Sequence, residues 1–176
     1  SGRQIQRPFN NNNPDQYYLD LYENNRESKI DSLKKLRPPF KTRNGRTVYG
    51  GGGITPDIYI PWKLEVSEST REVMSHSKRL LFNWSTAFVK NDGSISKDYT
   101  DFQSNWKLSS NSFINFLSYV AKEDSKIDIE ELKQDKEYLE NILKSEVAGV
   151  KWGRDELWGV RVKVDSQVLG ALKHFN

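Results

Sequence analysis

The sequence contains no cysteine. It therefore forms no disulfide bond and has neither a cysteine nucleophile nor a zinc site built from thiolates, although this absence does not determine the redox compartment. Long apolar runs are also missing, since none approaches the roughly 20 residues that a membrane-spanning helix requires. We therefore expect no thiol chemistry and no membrane span in this chain.

Excess charge of one sign and histidine are scarce too. The 27 Lys and Arg residues against 24 Asp and Glu give a net charge of +3, a mixed surface that gives little support to nucleic-acid binding. His76 and His174 lack a carboxylate-flanked motif, so they predict no metal site, and no cofactor is expected. We expect His76 to be partly exposed on a helix rather than catalytic. His174 is expected in the last turn of a helix, where a cation suits the dipole.

What the sequence does contain is aromatic residues. With 176 residues it is long enough for one domain, or for one compact piece plus an appendage. Only 35% of the residues are hydrophobic, and the mean hydropathy is -0.79. However, 5 Trp, 8 Tyr and 8 Phe argue against disorder, because disordered chains are poor in aromatic residues. We expect the tryptophans to anchor packing, and leave open a groove-lining role for one of Trp62, Trp84, Trp106, Trp152 and Trp158.

The most unusual stretch is a run of four glycines, Gly50–Gly53. The β-prone run Thr47–Tyr49 precedes it, and a second β-prone run, Ile58–Ile60, follows between Pro56 and Pro61. Consecutive glycines are kept where the backbone needs positive φ or where another group comes very close. The two prolines remove amide donors, so the second strand is predicted to be short and at a sheet edge.

The glycine run has two interpretations on physical grounds. A phosphate-binding loop is disfavoured, because no Lys-Ser/Thr follows the glycines and the spacing is not G-x-G-x-x-G. The simpler interpretation is a tight crossing between strands of a larger sheet. Asp57 could form a turn or pair with Arg46, and the turn is favoured because Asp readily bonds its local backbone.

Two motifs resemble one known family. Residues 45–57, read as "GR-x-VYGGGGI-x-PD", resemble the segment near the end of the catalytic domain in carboxy-terminal (tail-specific) processing serine proteases. Residues 1–8 are similar to the "P-S-G-R-x-I-Q-R-P" strand of that family, and the two motifs come in the right order. The resemblance implies that residues 1–62 are the C-terminal segment of a peptidase core. A strand over 3–8 and a variable surface insertion over about 9–44 are then expected.

The resemblance also bears on activity. The family hydrolyses peptide bonds with a Ser-Lys dyad, and both dyad residues and the PDZ domain that receives substrate C-termini lie upstream of the strand that begins here at Ser1. It therefore implies that this chain holds no catalytic residue and is inactive alone, while the parent enzyme cleaves proteins or peptides in a bacterial periplasm or envelope. The alternative is a stand-alone α+β binding or interaction module with no catalytic activity.

Residues 63–176 are predicted to form a helical, bundle-like extension, so the expected fold class is α+β. Ser69 and Glu72 form a capping box for one helix that ends at residues 91–93, and Asp128 and Glu131 form another. The other predicted helices carry apolar stripes: Val73, Leu80, Leu81, Trp84 and Phe88; Phe113, Phe116, Leu117 and Val120, capped near Ser110; Leu139 to Val150, running on to Trp158; and Val168, Leu169, Leu172 and Phe175, capped by Asp165.

Three smaller expectations complete the sequence-based prediction. Asn13 is predicted to cap a short helix with Tyr17, Tyr18, Leu21 and Tyr22 on its apolar face. The acidic runs at 128–131 and 155–156 are predicted to lie at helix N-termini, where they complement the dipole. Segments 3–8 and 47–60 would lack partner strands, so we expect them to pair with each other or across chains, which would make a homo-oligomer through strand edges or the helical extension.

Overall fold

The computed structural model describes residues 3–6, 32, 35–51, 58–61 and 64–175. The fold class is α+β: the described residues are mostly helical, with one small antiparallel sheet near the N-terminus. The chain divides into two compact units, Ser1–Pro61 and Trp62–Asn176. The predicted helix after Asn13 and the glycines Gly52 and Gly53 lie outside the described residues.

The sheet of the first unit is a two-stranded hairpin. β1 (Pro39–Lys41) pairs antiparallel with β2 (Thr47–Tyr49), and Phe40 lies opposite Val48. The connecting turn is closed by a hydrogen bond from Thr42 N to Arg46 O at 2.9 Å. Gly45 adopts φ +78 in this turn, a value that side chains disfavour and glycine accepts readily.

Two strand predictions are wrong, and one strand was not predicted. Within the described residues, 3–6 and 58–60 form no strand, and residues 7 and 8 of the first predicted strand lie outside the described ranges. The proline at 61 removes an amide donor beside the 58–60 run, which weakens any pairing there. β1 lies inside the range 9–44 that was expected to be a surface insertion; Pro39 is tolerated because it is the first residue of an edge strand.

The second unit contains eight helices within its described residues. Their bounds are α1 (Glu68–Ser75), α2 (Leu80–Asn91), α3 (Tyr99–Asn105), α4 (Ser110–Glu123), α5 (Ile129–Gln134), α6 (Lys136–Lys151), α7 (Arg154–Arg161) and α8 (Ser166–Leu172). Side-chain caps explain several starts: Ser109 accepts from Ser112 N at α4, and Asp165 accepts from Gln167 N and Val168 N at α8. α3 was not predicted, because one buried residue, Phe102, gives it no stripe.

The predicted helix from Val73 to Phe88 is two helices. The chain breaks at residues 76–79, where Arg79 adopts φ 52 in the left-handed region and His76 caps the end of α1. Local hydrogen bonds compete with the helix here, since Lys78 N donates to His76 Nδ1 at 3.2 Å. The N-cap of α1 is Ser67 rather than Ser69, because the Ser69 hydroxyl accepts from Asp128 N at 3.1 Å instead.

The predicted helix from Leu139 to Trp158 is also broken. α6 ends at Lys151, and Gly153 adopts φ +136 before α7 begins. The two helices pack closely: a Cβ at Gly149 would lie only 2.8 Å from Leu157 Cδ1. The glycine at 149 therefore permits an approach that no larger residue allows without movement.

The core of the helical unit has two clusters. The larger joins α1, α2, α4, α5 and α6, and its fully buried members include Leu80, Phe116, Leu132 and Leu143. The smaller holds Ile95, Phe102, Val147, Ala148 and Val160. Three tryptophans, Trp84, Trp106 and Trp152, pack in or against these clusters as expected. Trp158 is 48% exposed, and Trp62 lies outside the described residues.

The last helix differs from its prediction. Asp165 caps α8 as expected, but α8 buries none of its residues. The four residues of the predicted stripe are all exposed: Val168, Leu169, Leu172 and Phe175. Within the described chain, α8 therefore does not lay its apolar face on another helix.

Candidate functional site

Hydrogen bonds join the two motif segments of the first unit. Gly51 N donates to Gln4 O at 2.8 Å, and Arg3 Nε donates to Tyr49 O at 3.1 Å. Gly50 N donates to Pro38 O at 3.0 Å and extends the contact of the hairpin by one residue. The expected local contact between these segments is present, and association across chains stays a prediction.

Steric constraints explain why Gly50 and Gly51 are glycines at this junction. A Cβ at Gly50 would lie 2.8 Å from Phe40 Cε2 and 3.2 Å from Gln4 O, and Gly51 adopts φ +72. Both are conditions under which glycine is kept: close backbone approach and positive φ. The backbone comes close here, but residues 3–6 form no strand, so the contact is not the predicted crossing between two strands. Asp57, predicted to form a turn, lies outside the described residues.

The helical unit carries an open groove between α2 and α4, which we call the α2–α4 groove. Its volume is about 660 Å³, and its lining residues are Trp84, Ala87, Phe88, Asn91, Asp92, Gly93, Asn115, Ser118, Tyr119 and Lys122. Trp84 and Phe88 stack at 4.8 Å between ring centroids and form an aromatic wall. The small side chains of Ala87 and Ser118 are exposed and leave the space unfilled.

Hydrogen bonds fix the amide side chains of the groove. Trp84 Nε1 donates to Asn115 Oδ1 at 2.9 Å, and Asn91 Nδ2 donates to Ala87 O at 2.9 Å. The NH₂ group of Asn115 and the side-chain oxygen of Asn91 are therefore still available to a ligand. Ser118 is less available as a donor, because its hydroxyl bonds Ile114 O at 3.0 Å.

The ends of the groove carry opposite charges. Lys78, just before α2, donates to Glu123 O at 2.8 Å at the end of α4, so the two helices run antiparallel. Asp92, which follows α2, and Lys122, in the last turn of α4, therefore lie at opposite ends. Between them, burial raises the pKa of the Tyr119 hydroxyl, and the nearby Glu123 carboxylate adds to this shift.

His76 lies in a smaller cavity and is partly exposed as expected, but it is the C-cap of α1 and lies outside the helix. Its Nδ1 accepts from Lys78 N, and its Nε2 lies 3.4 Å from Asp124 Oδ2, so both ring nitrogens have protein partners. The cavity, about 360 Å³, also contains Arg161, which pairs with Glu146 at 2.7 Å. His174 is exposed and lies two residues beyond α8, rather than in its last turn.

The acidic runs lie at helix starts as expected. Asp128 caps α5 by accepting from Glu130 N, and residues 155 and 156 are in the first turn of α7. The predicted capping box between Asp128 and Glu131 is not formed, because Asp128 N donates to Ser69 Oγ and Glu131 Oε2 accepts from Ser69 N at 3.0 Å instead. Glu131 thereby satisfies a free donor at the start of α1, and the two helix starts are bonded to each other.

The described residues offer neither a metal-ion cluster nor a membrane-spanning helix. No group of three or more His, Asp or Glu side chains among them is placed to hold a metal ion. No helix in the same ranges has both the length and the apolar character needed to cross a membrane.

Comparison with known protein families shows a similarity within the helical unit. Residues 76–153 match a family described as "Family of unknown function (DUF8443)". The match covers less than half of the chain, lies wholly in the helical unit and includes both walls of the α2–α4 groove. No curated protein and no solved structure matches the chain.

Proposed function

We propose that residues 1–61 are the closing segment of the core of a carboxy-terminal processing serine peptidase, and that the helical unit is an accessory region of the same enzyme. The reaction is hydrolysis of peptide bonds by a Ser-Lys dyad carried on upstream polypeptide. This chain contributes no nucleophile or base and is inactive by itself.

The observation that carries this proposal is the contact between the two motif segments. The family resemblance rests on residues 1–8 and 45–57, and these segments are bonded through Gly51 N to Gln4 O and Arg3 Nε to Tyr49 O. Motifs that matched only by composition would have no reason to lie together in space. Their contact supports a common origin in one structural element.

The size of the hairpin gives further support. β1 and β2 have three residues each, and an isolated two-stranded hairpin is at best marginally stable in water. None of the six strand residues is fully buried, so the described hairpin has no hydrophobic face covered by a core. A hairpin of this kind gains stability by packing on a larger sheet, which the peptidase core would supply.

The proposal includes a substrate class and a place. By resemblance, the parent enzyme acts on proteins or peptides in a bacterial periplasm or cell envelope. The helical unit would brace the core or dock partners, since its hydrophobic clusters form within the unit.

A peptidase assay tests the proposal. The polypeptide with its natural upstream sequence should cleave casein, and a single Ser→Ala change in the upstream dyad should abolish cleavage. This chain alone should show no turnover. Robust casein cleavage by this chain, lost on one Ser→Ala change within it, would contradict the proposal.

A second candidate is a stand-alone α+β binding module without catalytic activity. The α2–α4 groove favours it, because the groove combines an aromatic wall with fixed amide groups and needs no other polypeptide. The reading frame upstream of Ser1 distinguishes the two candidates. The peptidase requires it to encode a Ser, a later Lys and a PDZ-like segment, whereas the module does not.

A further inference from the structure

We infer that the α2–α4 groove binds an extended peptide segment that carries an apolar side chain and, toward Lys122, a carboxylate. The inference deepens the binding-module candidate and rests on a binding role for the helical unit. It is independent of the peptidase origin proposed for residues 1–61, because every residue that it uses lies on α2, α4 or directly after α2.

The length of the groove suits a short extended segment. Trp84 and Asp92 are eight positions apart along α2, which at a helical rise of about 1.5 Å per residue spans roughly 12 Å. An extended chain advances about 3.3 Å per residue, so roughly four residues cover this length. Most lining side chains are exposed, as Ala87, Asn91, Asn115 and Ser118 are, so the site is an open groove along which a chain can lie.

The aromatic wall accounts for the apolar side chain. Phe88 on α2 and Tyr119 on α4 are partly exposed, Trp84 is 4% exposed and stacks on Phe88, and Ala87 and Ser118 leave space between the two sides. A leucine or phenylalanine of the ligand would remove apolar surface from water on both sides at once. The indole N–H of Trp84 already donates to Asn115 Oδ1, so an apolar side chain bound here would not leave that donor without a partner.

The amide groups match a peptide backbone in the extended conformation. Asn115, oriented by its bond from Trp84, offers N–H donors from α4. Asn91, whose own N–H bonds Ala87 O, offers an oxygen acceptor from α2. An extended chain presents carbonyl and N–H groups along its length, so a fixed donor and a fixed acceptor can bond its backbone without reading its sequence.

The charges give the bound segment a direction. Lys122 forms no ion pair with any described residue, and it lies at the opposite end from Asp92. A carboxylate near Lys122 and a cation or free amino group near Asp92 complement these ends. Exposed ion pairs contribute little free energy, so we expect the charges to orient the peptide and the aromatic wall to supply most of the affinity.

An extended occupant fits this site better than a helix. α2 and α4 are in direct contact beneath the groove, because Trp84 Nε1 lies 2.9 Å from Asn115 Oδ1 and the Trp84 and Phe116 rings are 5.5 Å apart. A third helix, about 10 Å across with its side chains, would rest on top of this contact rather than enter it. A single extended chain is narrower and can reach both amide side chains.

Titration of the ¹⁵N-labelled full chain tests the inference. The probes are acetyl-Ala-Leu-Phe-Ala-Glu and its uncharged analogue acetyl-Ala-Leu-Phe-Ala-Gln-amide, followed by two-dimensional NMR. We expect the Trp84 indole N–H and the Asn115 side-chain NH₂ signals to shift together. The uncharged analogue should bind about 2- to 5-fold more weakly, and this difference should vanish in Lys122→Gln.

Matched variants separate groove binding from general effects. Ala87→Phe fills the groove and should weaken binding at least tenfold, and Ser118→Phe should do the same if the first variant folds poorly. Ala121→Phe, on an exposed face of α4 outside the groove, should bind within twofold of the wild type. The inference is overturned if neither probe shifts these signals at millimolar concentration. It is overturned as well if Ala87→Phe or Ser118→Phe folds and still binds the peptide as tightly as the wild type. It is also overturned if the bound peptide gives helical contacts between its protons. Each of these results leaves the casein assay unaffected.

Discussion

The carboxylate of Asp135 accepts two hydrogen bonds from Ser67, one from the backbone N–H at 2.8 Å and one from the hydroxyl at 2.6 Å. The pair connects the N-cap of α1 with the start of α6, across 68 positions of sequence. Burial by itself raises the pKa of Asp135, but the two hydrogen bonds from Ser67, with smaller contributions from Thr70 and the positive charge of Arg71, outweigh it. The pKa of the carboxyl therefore lies below its ordinary value.

The lowered pKa of Asp135 predicts how stability depends on pH. Because the folded pKa lies below the unfolded value of about 3.9, the contribution of Asp135 is present above that pH and is lost as the pH falls through the folded pKa. We expect Asp135→Asn to lower the free energy of unfolding by about 1 kcal/mol at pH 7 and by less below about pH 3. Urea unfolding of both proteins across this pH range measures the difference.

A double-mutant cycle with Ser67→Ala provides the control. If the bond to Ser67 is the cause, the effects of the two substitutions should be strongly non-additive, with a coupling of about 0.5 kcal/mol or more. Strict additivity at pH 7 would contradict this account.

Gly50→Ala is predicted to open the junction between the motif segments. The new Cβ would lie 2.8 Å from the Phe40 ring, which can move, and 3.2 Å from the backbone oxygen of Gln4, which can move only with its segment. We expect the Gly51 amide hydrogen to exchange about tenfold faster or more, because the substitution should lower the free energy of local opening by over about 1 kcal/mol. Hydrogen exchange followed by NMR measures this. Arg43→Ala in the exposed turn should leave Gly51 protection unchanged, and equal protection in Gly50→Ala would contradict the prediction.

Gly149→Ala is predicted to destabilise the α6–α7 pair although alanine favours helices. The added Cβ would meet Leu157 Cδ1 at 2.8 Å and Leu157 Cβ at 3.2 Å, and overpacking of this kind costs about 1–3 kcal/mol. Thermal and urea unfolding should show the loss. In a Leu157→Ala background the clash is reduced, so the same substitution should become neutral or stabilising by up to about 1 kcal/mol. Destabilisation of equal size in both backgrounds would disprove the steric cause.

Lys144→Met is predicted to destabilise the end of α3. Lys144 Nζ donates to Gln103 O at 3.0 Å and to Trp106 O at 2.6 Å, and removal of a charged donor costs about 1–2 kcal/mol. Lys97→Met, at an exposed position, should change stability by less than about 0.5 kcal/mol. Equal effects of the two substitutions on urea unfolding would contradict the prediction.

The same lysine offers a direct test by titration. Burial, followed by repulsion from Lys163 and Lys107, lowers the pKa of Lys144. In ¹³C NMR of the lysine Cε groups, Lys144 should therefore titrate below the ordinary value of about 10.4. Titration at or above that value would show that its two carbonyl partners outweigh its burial.

Helix existence in the second unit could largely be predicted from the sequence, but helix breaks could not. The stripe of Phe113, Phe116, Leu117 and Val120 and the cap at Asp165 identify α4 and α8 because they depend on local spacing. The break before Arg79 depends on a left-handed residue that is not glycine, and no local rule predicts that conformation.

The strand predictions for the first unit failed because tertiary contacts, and not local composition, decide where a strand forms. Residues 3–6 and 58–60 have strand-like composition but adopt no strand conformation, because composition alone does not decide whether a ladder of hydrogen bonds forms. β1 was missed because its pairing with β2 begins at a proline, which ordinarily argues against a strand.

The α2–α4 groove could not be predicted, because the residues that create it carry no chemical signal. Ala87 and Ser118 matter through the space that they leave, and Asn115 matters through one bond from Trp84, 31 positions earlier. The available signal was the expectation that one tryptophan could line a groove, and Trp84 is both part of the core and a lining residue.

Two hydrogen bonds join the first turns of α1 and α5. Ser69 N donates to Glu131 Oε2, and Asp128 N donates to Ser69 Oγ. During synthesis on the ribosome, α1 therefore emerges about sixty residues before the groups that satisfy its first turn. Contacts this distant in sequence require a long loop to close, which costs conformational entropy. A nascent chain released before residue 131 would hold an α1 that frays from its first turn, so early termination products should be open to proteolysis there.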